Sequence, residues 1–159
     1  MTQYDVIMIG GGVMACATAY YLLKLVKNIK VAIIEKDPTY RLSSTILSDG
    51  NLRVQFNIKE NIQMSQYGLE VLAHFSEEMA VGDNTVDIGF RQEGNLFLTN
   101  EEGLDYAQSG MTLQQSLGCD VDWLSAGAVG EHYPFIDKTT IAGGTFSPKD
   151  GVMDPQAVL

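Results

Sequence analysis

The chain has 159 residues, 45% of them hydrophobic, and carries a formal net charge of −10 with a pI near 4.4. That length can bury a real core within one domain, whereas the acidic balance argues against nucleic acid, whose phosphates require clustered Lys and Arg. Two cysteines, Cys16 and Cys119, give neither a metal spacing nor a disulfide framework.

The first element is the apolar run Tyr4-Asp5-Val6-Ile7-Met8-Ile9, which reads as a buried parallel strand. Gly10, Gly12 and Ala15 then occupy the three small positions of a dinucleotide-binding fingerprint. Gly10 permits the tight strand-to-helix turn, Gly12 lets backbone approach a pyrophosphate, and Ala15 keeps the helix close to the strand. N–H groups at the helix start would meet the anion. Val13 to Val26 is helical in character and ends among Lys24 and Lys27, cations suited to a helix C-terminus. Cys16 falls inside this helix as a small core residue. A second strand, Lys30 to Ile34, ends in Glu35, twenty residues beyond Ala15, where a ribose hydroxyl would be gripped.

Val6 to Leu23 is eighteen residues without a charge, near the length of a transmembrane helix. Three glycines interrupt it, Asp5 precedes it in place of a basic flank, and Met1 to Asp5 supplies no positive n-region, although Ala15-Cys16-Ala17 mimics a cleavage site. A soluble, cytoplasmic chain with no membrane span is expected.

Lys36 to Asn57 has poor periodicity and many Ser, Asp, Gly and Asn residues, so it is expected as a loop with at most a short helix. Helical spacing returns from Ile58 to Met79, with Ile58, Ile62, Leu69, Leu72, Phe75 and Met79 facing a core and His74 on the surface. Neither His74 nor His132 has a ligand-like neighbour, so no metal site is expected. From Val86 onward the texture changes. Phe90 to Thr99 contains a Gly-Asn turn signal followed by an apolar strand, and it looks antiparallel. Glu101 to Leu117 reads as a helix, Val121 to Leu124 as a short strand, Ser125 as the N-cap of a helix over Ala126 to His132, and Ile141 to Phe146 as another strand. Asp154-Pro155 is a cap and first helical position with only Gln156 to Leu159 after it. The expected fold class is α/β: a Rossmann-like βαβ unit over residues 1–85, then the start of a mixed α+β substrate region over 86–159. The chain reads as the N-terminal part of something larger, with a missing C-terminal half or a partner subunit.

The sequence resembles the FAD-dependent oxidoreductases of the D-amino-acid oxidase superfamily, in the branch of sarcosine oxidase β-type subunits and dimethylglycine dehydrogenase. The resemblance runs through Tyr4 to Met14, Ile33-Ile34-Glu35-Lys36, Ser43 to Phe56, Arg91 to Leu98 and Asp150 to Pro155. It implies FAD on the βαβ unit, with Gly10, Gly12, Val13 and Met14 at the pyrophosphate and Glu35 and Lys36 at the adenosine ribose. In similar proteins the loop after the second strand runs along the cofactor, and Ser43, Ser44, Thr45, Ser48, Gly50, Asn51 and Leu52 match it. Arg53 is the candidate catalytic residue, a guanidinium to stabilise negative charge on the reduced flavin or to pair with a substrate carboxylate. The histidines that monomeric sarcosine oxidases carry in this loop are absent. The implied reaction oxidises the C–N bond of a secondary or tertiary amino acid by hydride transfer to flavin. Two rivals stay open: a flavin-binding fragment or assembly subunit without turnover, and a nicotinamide-dependent dehydrogenase, which would place its fingerprint before a longer run of alternating strands and helices.

Overall fold

The computed structural model describes residues 3–159, so Met1 and Thr2 of the first expected unit lie outside the described residues. Val6–Ile9 (β1), Val13–Leu25 (α1) and Val31–Ile34 (β2) form the expected βαβ arrangement. β1 and β2 pair in parallel with Val6 opposite Val31 and Ile9 opposite Ile34, and Gly10 N extends the ladder by donating to Ile34 O at 2.8 Å. α1 begins where its fingerprint glycine ends, because Gly12 sits at the N-cap with extended backbone.

The chain divides into two compact units, one running to Gly50 and taking up Asp154–Leu159, the other comprising Asn51–Met153. The division falls at Gly50–Asn51, ahead of the boundary expected near residue 85. In the first unit the two-stranded sheet leaves Ile9 82% and Ile34 54% exposed. Parallel sheets ordinarily bury both faces.

The second unit adds Asn51–Leu52 (β3), Lys59–Ala73 (α2), Phe75–Glu78 (α3), Asn95–Thr99 (β4), Leu104–Ser116 (α4), Asp122–Ser125 (β5), Ala126–His132 (α5), Gly143–Ser147 (β6) and Gly151–Val152 (β7). β6 lies between β4 and β5, antiparallel to both, and β3 pairs antiparallel with β7. Its core is built on Ile62, Val121, Val129, Val54, Ile88 and Phe75. Pro155–Val158 (α6) closes the chain, with Asp154 Oδ1 accepting from Gln156 N at 2.8 Å, as its cap position predicts. The Ser125 cap is formed likewise, its Oγ accepting from Ala128 N at 3.2 Å.

Four local expectations need correction. The helix expected over Ile58 to Met79 is interrupted at His74, whose ψ of 8° ends the α2 ladder as Phe75 turns into the core. Ile58 is 57% exposed, because it is the extended N-cap one residue ahead of α2 and four ahead of the first buried apolar residue, Ile62. The loop after β2 ends in a short strand, β3, which two residues of sequence could not announce without their partner β7. Cys16 is only half-buried, and its thiol donates to Gly11 O at 3.2 Å.

Candidate functional site

Three consecutive glycines leave β1 and open α1, and each meets a different constraint. Gly10 has φ +93°, a conformation that disfavours any side chain. A Cβ at Gly11 would stand 2.9 Å from the Tyr40 hydroxyl and 3.2 Å from Cβ of Glu35. At Gly12 it would stand 3.2 Å from Thr45 Oγ1. The middle glycine is therefore constrained by its neighbours as well. Tyr40, which packs against it from a left-handed φ of 54°, carried no signal in the sequence.

Glu35 follows β2 and turns back on the glycine run. Its Oε2 accepts from Gly11 N at 2.7 Å and its Oε1 accepts from Asp37 N at 2.9 Å. These amides, Asp37 first and Gly11 second, hold the carboxyl below the usual range and so keep it ionised. Each oxygen retains a lone pair for a hydroxyl donor. Asp37 is also held low, chiefly by the Thr39 hydroxyl and then by the Thr39 amide. Lys36 lies between these two acids in sequence, and its charge lowers Asp37 further.

The N-terminus of α1 has no acidic residue in its first turn and no side-chain cap on Gly12. Val13 N donates to Thr45 Oγ1 at 3.0 Å. Among the described residues, the amides of Gly12 and Met14 have no hydrogen-bond partner. Two free N–H groups at the positive end of a helix, beside glycines that admit close approach, fit a diphosphate. Thr45 thus stands against the turn that carries Gly12, Val13 and Met14. Ser43 and Ser48 shape the loop itself, their Oγ atoms accepting from Ile46 N at 3.2 Å and Gly50 N at 3.1 Å. Ser44 makes no side-chain hydrogen bond among the described residues, and Gly50 takes φ +70°.

Asn51, Leu52 and Arg53 belong to the second unit. The Asn51 and Asn95 amides exchange two hydrogen bonds, at 2.9 and 3.0 Å. Leu52 packs against Gly68 of α2. The guanidinium of Arg53 lies over two rings, 4.6 Å from the Phe56 centroid and 4.8 Å from that of Phe97. Among the described residues it makes no hydrogen bond or ion pair, so its donors are available to an anion. Neither ring was singled out from sequence, and the Phe97 contact depends on β4 lying beside Arg53. No group of His, Cys, Asp and Glu that could hold a metal occurs among the described residues, and no helix there is long and apolar enough to cross a membrane.

The sequence model of the family described as FAD dependent oxidoreductase, DAO, matches residues 5–159. The chain belongs to the DAO family of FAD-dependent oxidoreductases. FAD is the cofactor of this family, and the free amides of Gly12 and Met14 with the ionised Glu35 suit its diphosphate and ribose. The DAO-family chain is 34% identical over 160 residues to FAD-dependent oxidoreductase domain-containing protein 1 of Xenopus laevis, covering 98% of this chain and 32% of that protein. It therefore spans about a third of the length of this curated relative. Its fold is similar to the crystal structure of glycine oxidase from Geobacillus kaustophilus, with TM-score 0.80, 26% identity, and coverage of 99% of this chain and 42% of the other. The crystal structure of L-proline dehydrogenase from P. horikoshii gives TM-score 0.79 at 25% identity, covering 98% of this chain and 39% of the other.

Proposed function

We propose that this DAO-family chain is the cofactor-binding part of an oxidoreductase acting on the C–N bond of a small amine or amino acid, of the sarcosine, dimethylglycine or proline kind. The observation that carries the reading is the turn from Gly10 to Met14, where two unpaired amides stand beside a carboxylate already oriented by Gly11 N. The similarity to the glycine oxidase and L-proline dehydrogenase structures supports an amino-acid substrate.

FAD, when bound, supplies the capacity to accept a hydride equivalent from the substrate. The chain's own residues do the holding. Gly10, Gly12, Val13 and Met14 receive the diphosphate, Glu35 with Lys36 beside it binds the ribose, and the loop from Ser43 through Ser44, Thr45, Ser48 and Gly50 to Asn51 and Leu52 lines the cofactor. Arg53 presents fixed positive charge to the anion of the reaction, a substrate carboxylate or the reduced ring.

A second reading is a flavin-binding module that needs further chain or a partner subunit before any turnover. The exposure of Ile9 and Ile34 on a two-stranded parallel sheet favours it. Purified protein distinguishes the two. Yellow protein whose flavin band bleaches anaerobically with sarcosine, dimethylglycine or proline supports the enzyme. Flavin uptake without bleaching supports the module, and a colourless chain that takes up no added FAD defeats both.

A further inference from the structure

A carboxylate withdrawn from water is costly unless its lone pairs are filled. Asp150, in the turn between β6 and β7, has no exposed surface. Its Oδ1 accepts from Val54 N at 3.0 Å and from Ser147 Oγ at 2.9 Å. Its Oδ2 accepts from Asn95 Nδ2 at 3.2 Å and from Gln55 Nε2 at 3.4 Å. All four donors are neutral. The backbone carbonyl of Asp150 is engaged as well, accepting from Gly94 N at 2.9 Å.

Ser147 closes β6, and the other three donors come from the two segments that bracket Arg53. Val54 and Gln55 stand between Arg53 and Phe56 in the chain. Asn95 opens β4, which carries Phe97 two residues later on the same face. Residues 53–56 lie in no helix or strand, so no ladder holds them. Buried side chains do so instead. Besides the Asp150 contacts, Gln55 Nε2 donates to Asn95 O at 2.9 Å, and Gln114 Nε2 of α4 donates to Phe56 O at 2.9 Å.

We propose that Asp150 is a positioning residue for Arg53: its buried carboxylate clamps Val54 and Gln55 to Asn95, and so holds the guanidinium over Phe56 and Phe97 with its donors free for an anion. A carboxylate is the side chain suited to this place, because it accepts on both oxygens and donates on neither. An amide there would accept on one oxygen and point donors at donors. The identity of the anion rests on the function proposed above, but the placement of the guanidinium does not require bound FAD.

The test is Asp150→Asn in the 159-residue chain without cofactor, followed by NMR of the Arg53 side chain assigned through Arg53→Lys. Two signals are read: the ring-current shift of the Arg53 methylene and Nε–H protons, and their response to acetate as a carboxylate probe. In the folded variant the ring-current shift should fall by about half or more and acetate affinity about tenfold. Parent values for both in a folded Asp150→Asn protein overturn the proposal, as does a parent Arg53 that shows no ring-current shift. Should Asp150→Asn fail to fold, Gln55→Met decides. It conserves volume, unties Gln55 from both Asp150 and Asn95, and leaves the Val54 bond intact. A partial loss of the ring-current shift then supports the clamp, and an unchanged shift overturns it. Neither readout uses FAD, so a chain that takes up no added FAD defeats the functional reading, while loss of both signals in its folded Asp150→Asn variant still supports this one.

Discussion

Glu35 accepts a hydrogen bond from the amide of Gly11 at 2.7 Å, twenty-four residues back along the chain. The bond ties the end of β2 to the turn that opens α1, so the proposed ribose ligand and the proposed phosphate turn are one assembly. Removing the carboxylate in Glu35→Ala should therefore do two things, deleting a ribose acceptor and freeing Gly11. The FAD dissociation constant is expected to rise about tenfold, the scale of one lost charge-assisted hydrogen bond. Titration followed by flavin fluorescence measures it, and equal affinity in the two proteins removes Glu35 as a ligand.

The same carboxylate sets a pH dependence. The Asp37 and Gly11 amides depress the Glu35 pKa in the folded chain. A depressed acid contributes fully above its unfolded value and loses that contribution as pH falls through the lowered folded value. Cofactor retention should thus hold steady from neutrality through the ordinary carboxylate range and decline only below it. In Glu35→Gln this acidic limb should flatten, which equilibrium dialysis of FAD across acidic buffers would read directly.

Gly12→Val tests the phosphate turn. A Cβ at this position already stands 3.2 Å from Thr45 Oγ1, and a branched side chain displaces that hydroxyl from Val13 N while filling the approach to the amides. Flavin content of the purified variant should fall to background with the far-ultraviolet circular dichroism unchanged. A variant that purifies as yellow as the parent would show that the diphosphate lies elsewhere.

Stability should be separable from cofactor binding in the second unit. Ile62 is 0% exposed, so Ile62→Ala should cost about 2–5 kcal/mol in denaturant unfolding. Ser125→Ala removes the cap on Ala128 N and should cost about 1 kcal/mol. A Ser125→Ala effect as large as that of Ile62→Ala would mean that the hydroxyl does more than cap α5.

The periodic and capping features were legible from residues alone, because they depend on near neighbours. β1, α1 and β2 follow from an apolar run, a glycine turn and a second apolar run. Asp154 and Ser125 announce their helices, since a cap is satisfied within three residues. Glu35 could be paired with the glycine turn through the fixed spacing of a βαβ unit. Where the helix after Ile58 breaks was not legible, because the break at His74 is set by the burial of Phe75.

The glycine fingerprint, the acid after the second strand and the family resemblance are local or nearly so, and the chain's own order was enough to reveal them. Tyr40 against Gly11, Phe97 under Arg53 and the Val54, Gln55 and Asn95 donors on Asp150 answer to no short-range pattern. Each joins residues that are brought together by loop conformation or strand pairing, up to ninety-six positions apart for Val54 and Asp150. Packing and buried hydrogen bonds are properties of spatial neighbours, so these contacts exist only once the strands and loops have closed on one another.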